Sequence, residues 1–239
     1  MELKTMNDRP DVPPVLEYPD RPESWDPLIL LIDKPKGLSS FDIIRQLRRI
    51  SPIRKIGHAG TLDPMATGLV ICLSGRATKQ MSRFMDMDKT YSGTIRLGQS
   101  TPSYDAETEP VDVGDASTVD WDDIQAARQA FLGEITQETP MYSAAKVGGE
   151  RLYKKARRGE TVQRAPRHVR IDVFDITERR GNDIDFRVVC SKGTYIRSLA
   201  HEMGQRLGTG GHLTALRRES IGPYNVARAW PLDELTSSA

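Results

Sequence analysis

Several things are scarce in this chain, and each scarcity removes a class of protein. Among 239 residues there are two cysteines, Cys72 and Cys190, each inside an apolar, strand-like run. Buried free thiols are therefore expected, not a disulfide framework, and a cytoplasmic protein fits. Cysteine and histidine never gather at ligand spacing, so no metal is expected. No apolar run is long enough to span a bilayer, and the start lacks a basic segment followed by an apolar one, so no membrane partner is expected. The pattern G-x-x-x-x-G-K-[ST] is missing, which removes a Walker-type phosphate cradle. Net charge is missing too: Lys and Arg number 34, Asp and Glu 33.

The near-zero total hides segregation. Thr101 to Gln125 holds eight acids and no base, whereas Met141 to Arg170 holds nine bases (Lys146, Arg151, Lys154, Lys155, Arg157, Arg158, Arg164, Arg167, Arg170) against Glu150 and Glu160. A charge run is ordinarily a solvated face. Nine bases so close together repel one another, and a phosphate backbone is the partner that offsets this. Arg45, Arg48, Arg49, Arg54 and Lys55 form a second basic patch.

Along the chain, residues 1–27 hold six of the fifteen prolines and read as a flexible or extended arm. Leu28 to Ile32 reads as a core strand. A Pro-Gly turn follows, with Ser39 or Ser40 able to cap a helix over Phe41 to Ile50 that sets Phe41, Ile44, Leu47 and Arg48 at helical spacing. Met81, Phe84 and Met85 predict one apolar helix face. Lys89 to Gly98 alternates like a strand, and Trp121 to Leu132 is periodic like a helix stopped by Gly133. Val169 to Ile176 and Ile184 to Ser191 predict a hairpin around Gly181-Asn182. Thr194 can cap a helix with Ile196, Leu199, Met203 and Leu207 on its apolar side, and Pro231 to Leu235 reads as a short helix.

The organising stretch is Gly57 to Lys79, GHAGTLDPMATGLVICLSGRATK. It opens as a loop with Gly57, Gly60 and Gly68 and runs into an apolar strand, Leu69 to Leu73. Asp63 lies before Pro64, which keeps it extended and so outside a helix. On its own, Asp-Pro in a Gly-rich loop is a turn. The whole string, however, closely resembles the signature of the TruB-type pseudouridine synthases. PMYSAAKVGGERLYKKARRGE, CSKGTYIRSLAHEMGQRLG and GGHLTALRRESIGPY match the family in register, as does the KPKG turn. Ala145 and Thr139 depart from the residues common at their positions.

The resemblance implies a fold of the α+β class: a mixed, mainly antiparallel sheet flanked by helices, in a single catalytic domain over 28–239. Residues 137–167 would form an inserted lobe gripping RNA, and the chain would be a short form without the C-terminal PUA-like module of many members. It implies isomerisation of a T-loop uridine of tRNA, of the uridine-55 type, by a monomer without guide RNA or cofactor. It also implies site roles. Asp63 is the nucleophile, and Arg197 the cation that orients it and keeps it ionised. Tyr91 stacks on the flipped base, Tyr195 lies near its C5, Leu216 lines the pocket, and His58 inserts where the base has left. Arg45, Lys55, Lys146, Arg151, Lys154, Lys155, Arg157 and Arg158 meet the RNA backbone. The alternatives are an RNA-binding or RNA-folding protein without catalysis on the same scaffold, or a synthase acting on another RNA.

Overall fold

The unbroken apolar runs become strands covered on both faces, as a strand without polar alternation requires. In the computed structural model, which describes residues 13–237, the chain forms two compact units, Met1–Lys89 with Arg217–Ala239, and Thr90–Leu216. The first unit begins with β1 (Val15–Leu16), β2 (Leu28–Lys34), α1 (Ser40–Ile50), β3 (Ile56–His58), β4 (Thr67–Ser74) and α2 (Met81–Met85). The chain continues through β5 (Lys89–Leu97), β6 (Gln99–Ser100), β7 (Val111–Asp112), α3 (Trp121–Gln129), β8 (Gly133–Glu138), β9 (Lys146–Val147), β10 (Glu150–Arg151) and α4 (Leu152–Arg157). Then come β11 (Pro166–Arg180), β12 (Asp183–Cys190), α5 (Ile196–Arg206) and β13 (Gly211–Ile221), whose last residues return to the first unit, followed by β14 (Tyr224–Asn225), β15 (Trp230–Pro231) and α6 (Leu232–Ser237).

In the first unit β2 is central. It runs antiparallel to β4, from Leu28 opposite Ser74 to Lys34 opposite Gly68, and parallel to β1 and β15. β4 pairs antiparallel with β3, and parallel with the end of β13 through Arg217–Thr67 and Arg218–Gly68. Ile29, Leu31, Leu69, Ile71, Leu73, Phe84 and Ile221 pack as its core. In the second unit the strand order is β13, β5, β12, β11, β8, with β11 antiparallel to both neighbours. Here β12 alternates, burying Ile184, Phe186, Val188 and Cys190, and Phe174 meets Phe186 edge-on at 6.0 Å. Together these are the mixed, mostly antiparallel strands with flanking helices that the resemblance implied. Among the described residues no helix is long and apolar enough to cross a membrane. Both thiols are free and buried, and burial pushes that of Cys72 up to about 12.

The structure decides between some local expectations and corrects others. Ser39 caps α1, accepting from the Asp42 N–H while Asp42 accepts from the Ser39 N–H, and Ser40 is left for another task. The buried stripe of α1 is Ser40, Ile43, Ile44 and Leu47. At about 100° per residue Phe41 falls off that stripe, and it is 57% exposed. Phe84 is buried but Met85 is 46% exposed, because neighbours on a helix point apart. Helix α3 stops at Gln129, before Gly133, and Ala130 and Phe131 close its end with tight turns onto Ala127 and Arg128. Thr194 does not cap α5: its hydroxyl donates to Ser191 O at 2.9 Å, and Tyr195 takes the cap position without a side-chain bond. Of the Pro-rich arm, residues 1–12 lie outside the described residues. From residue 13 the arm is extended and held: β1 pairs with β2, and Trp230 packs edge-on against Tyr18 and donates to Asp20 O.

Candidate active site

Asp63 sits in the loop between β3 and β4, and the backbone of that loop is held carbonyl by carbonyl. Gly60 O accepts from Arg218 Nη2 at 3.2 Å and Thr61 O from Arg218 Nη1 at 3.4 Å. Leu62 is clipped at both ends by Ser40, whose Oγ accepts from Leu62 N at 2.8 Å and donates to Leu62 O at 3.1 Å. Asp63 O accepts from Ala66 N at 3.1 Å. Pro64 O accepts from Gly37 N at 2.8 Å and from Lys34 Nζ at 3.2 Å. Each of the five carbonyls from Gly60 to Pro64 thus has a donor.

Two of those donors are cations with no solvent. Lys34 is 0% and Arg218 1% exposed. Burying a charge costs several kcal/mol unless hydrogen bonds replace its water. Lys34 also donates to Pro35 O and Leu38 O, at 2.9 and 2.7 Å, and Arg218 Nε donates to Leu69 O at 2.7 Å. Cations and loop thus depend on each other. Gly68 admits the Arg218 strand: its φ is +105°, and a Cβ there would lie 2.3 Å from Arg218 O. His58, at the end of β3, is half-buried. Burial and then the charge of Arg218 hold its pKa below the usual imidazole value, so it is neutral at pH 7.

The other expected residues lie in the second unit. Tyr195 and Arg197 begin α5. Gln137, 1% exposed, grips the Tyr195 backbone, accepting from its N–H at 3.0 Å and donating to its carbonyl at 3.3 Å. The Arg167 guanidinium lies 5.6 Å from the Tyr195 ring centroid, within cation–π range. Arg197 is 4% exposed, not a surface arginine. It donates to Ser103 O at 3.1 Å and Tyr142 O at 2.8 Å, and its Nη1 is 3.4 Å from the buried Asp105 carboxylate. Tyr91 on β5 and Leu216 on β13 are 9% and 7% exposed and lie on neighbouring strands. At Gly93 those strands come so close that a Cβ would meet Ala215 O at 2.5 Å. Further along α5, Glu202 is pushed up to about 7, chiefly by burial, which outweighs the opposing charge of Arg206 and is helped by the smaller effect of Glu138.

The basic lobe is less cationic than its composition suggests. β9 and β10 form a hairpin leading into α4, with Arg151 at the helix cap. Arg158 bonds both carboxylate oxygens of Glu150 at 2.8 Å and one of Glu160 at 2.7 Å. Lys155 Nζ lies 3.9 and 3.7 Å from the same two acids. Lys146, Arg151 and Lys154 have no ion pair among the described residues, and Arg157 lies over the Tyr153 ring. In the first unit Arg45 pairs with Asp42, and Arg48 donates to Ile56 O.

Asp105, Gln137, Ser40, Lys34 and Arg218 are supporting residues that sequence reasoning missed. Asp105 is one of eight acids in a run, and nothing in its spacing sets it apart. Lys34 and Arg218 lie in matched strings, KPKG and TALRR, which is the only signal they carry.

Solved structures resemble the chain over most of its length. It superposes on a chain of a Cbf5–Nop10–Gar1 complex with a TM-score of 0.69 and 29% identity, covering 87% of this chain and 53% of that one. A chain of an H/ACA RNP bound to a substrate RNA containing 2′-deoxyuridine gives 0.65 and 26%, covering 87% and 52%. The chain spans about half the length of those solved chains. The fold is therefore that of a pseudouridine synthase. Residues 48–196 match the TruB family pseudouridylate synthase N-terminal domain, and 197–239 the tRNA pseudouridylate synthase B C-terminal domain: the chain belongs to the TruB family. It is 46% identical over 217 residues to tRNA pseudouridine synthase B of Thermobifida fusca, covering 87% of this chain and 74% of that protein. With the protein of the same name from Opitutus terrae the identity is 46% over 207 residues, covering 87% and 86%.

Proposed function

We propose that this pseudouridine synthase acts on tRNA, isomerising a T-loop uridine of the uridine-55 type through Asp63. The observation that carries the reading is the loop 60–64, in which every carbonyl is occupied and Asp63 stands between two buried cationic anchors. The names of the relatives support tRNA as the RNA. The reaction breaks N1–C1′ and makes C5–C1′ in the same nucleotide. C5 loses a proton and N1 gains one, with no net electron transfer, so no redox cofactor enters. The base must leave the stack before its atoms can be reached. Ionised Asp63 attacks C1′ or C6, and Arg197 is the fixed cation that keeps the nucleophile charged. Tyr91 stacks on the base, Tyr195 stands near C5 for the proton, Leu216 lines the pocket, and neutral His58 fills the gap left in the RNA. Arg45, Lys55, Lys146, Arg151, Lys154 and Arg157 meet phosphates, with Lys155 and Arg158 partly spent on Glu150 and Glu160. The enzyme works as a monomer, without guide RNA, in a single domain over 28–239 with 137–167 as the RNA lobe. A cytoplasmic setting fits the reduced, buried thiols.

The test is incubation of wild type and Asp63→Asn with unmodified tRNA, followed by mapping of pseudouridine. One modified T-loop position with wild type and none with the variant is expected, with RNA binding kept. Turnover by Asp63→Asn within about tenfold of wild type, ~1.4 kcal/mol in barrier, removes the nucleophile role. Modification elsewhere only makes another RNA site the target.

A further inference from the structure

Adjacent arginines at the end of β13 have opposite fates. Arg217 bonds both oxygens of Asp33, at 3.1 and 2.8 Å, and lies 3.6 Å from Glu219. Arg218 is buried and has no carboxylate partner among the described residues. Its Nε, Nη1 and Nη2 go to three backbone carbonyls, those of Leu69, Thr61 and Gly60. A guanidinium is a rigid fork, so three acceptors around one fix their relative positions, which an ammonium cannot do. Leu69 belongs to the core of β4, and Gly60 and Thr61 to the loop, three and two residues before Asp63. The fork therefore ties the loop backbone to that of strand β4. Gly68 lets this happen, since only a residue without Cβ permits the approach of the Arg218 backbone.

We propose that Arg218 is a positioning residue for the reaction: its guanidinium sets the Gly60–Thr61 backbone against strand β4 and so fixes where Asp63 stands. The proposal rests on the reading of Asp63 as nucleophile. It assigns Arg218 no contact with RNA. Removing the guanidinium should therefore lower kcat and leave RNA affinity alone.

The experiment compares wild type, Asp63→Asn, Arg218→Lys and Ile221→Ala. Ile221→Ala destabilises the same strand of the same unit without removing any of the hydrogen bonds that hold the loop carbonyls. The measurements are kcat, KM and Kd on one unmodified tRNA, thermal unfolding, and amide hydrogen exchange of the peptide spanning 59–66. For Arg218→Lys the expected result is a kcat lower by about thirtyfold or more, with KM and Kd within about threefold and faster exchange in that peptide. Ile221→Ala, equally or more destabilised, should keep kcat within about threefold of wild type. The proposal is overturned if Arg218→Lys keeps its kcat, or if its defect lies in KM and Kd. It is equally overturned if Ile221→Ala loses as much kcat, or if Arg218→Lys fails to fold while Ile221→Ala folds, since either result makes Arg218 a residue of the whole fold. Full activity of Asp63→Asn overturns the functional reading instead, whatever Arg218→Lys does.

Discussion

Removing one oxygen, that of the Ser40 hydroxyl, should loosen the Asp63 loop. Ser40 Oγ accepts from Leu62 N–H at 2.8 Å and donates to Leu62 O at 3.1 Å. Ser40 is 1% exposed, so Ser40→Ala leaves both groups of Leu62 without ready access to water. Each buried orphan costs about 1–3 kcal/mol, and the carbonyl, with the longer bond, belongs at the low end. Ser40 is the first residue of α1, where alanine recovers about 0.5 kcal/mol of helix propensity. The cap itself is Ser39, so it survives. The net destabilisation is about 2–3 kcal/mol. At roughly 2–4 °C per kcal/mol for a chain of this size, the melting temperature should fall by about 5–10 °C. Asp63 follows Leu62, so single-turnover pseudouridine formation should slow by about tenfold. The Kd for tRNA should stay within about twofold, because no group that meets RNA is removed. Thermal unfolding and single-turnover kinetics on the same preparation measure both. A shift below about 1 °C with an unchanged rate would show that the hydroxyl does not hold the loop.

Three further outcomes are expected. Replacing Lys146, Arg151 and Lys154 with glutamine should flatten the log–log salt dependence of tRNA binding by roughly 0.7–0.9 for each phosphate no longer neutralised, and an unchanged slope makes this a solvated face. Glu202 keeps its proton to about 7 in the folded state, against 4.5 for the ordinary group. Between those values the unfolded chain binds fewer protons, so the stability contributed by neutral Glu202 is present at pH 4 and lost as pH rises through 7. Glu202→Gln should therefore gain melting temperature over wild type at pH 8 compared with pH 5, and an equal difference at both pH values contradicts the burial argument. Finally, recognition of a folded arm plus one extruded base predicts that an isolated T-arm stem-loop is a substrate. A kcat/KM on it more than about a hundredfold below that of full tRNA, ~2.7 kcal/mol, would place needed interactions elsewhere on the RNA.

What can be read from the sequence is what repeats or runs. Leu28 to Ile32 and Leu69 to Leu73 are unbroken apolar stretches, and strands buried on both faces need such stretches. The alternation from Ile184 to Cys190 tells which face of β12 is inward. Periodicity fails at its edges: Phe41 and Met85 fit a helical count and are exposed, because one step of 100° separates core from solvent. Charged residues are the least legible. Lys34, Asp105, Arg197 and Arg218 look, letter by letter, like Lys154 or Asp122, and only the backbone carbonyls around the three cations, and Ser103, the Glu107 N–H and Arg197 around Asp105, make them interior. The run of bases over Met141 to Arg170 likewise gives no sign that Glu150 and Glu160 are turned on Arg158 and Lys155.

The reach of Arg218 has a consequence for the order of events on the ribosome. Its acceptors lie 149, 157 and 158 residues earlier in the chain. A nascent chain that has emerged as far as α5 already exposes Asp63, Ser40 and Lys34, yet lacks the strand that supplies the guanidinium. Pairings so distant in sequence form late, after the loop-closure entropy has been met. The short-range ties, Ser40 to Leu62 and Lys34 to Pro64, can be made early, and the long-range one comes last. On the proposed role of Arg218, catalytic competence waits for the emergence of β13. A nascent chain whose translation halts before β13 carries the Asp63 loop without the guanidinium that ties Gly60 and Thr61 to Leu69.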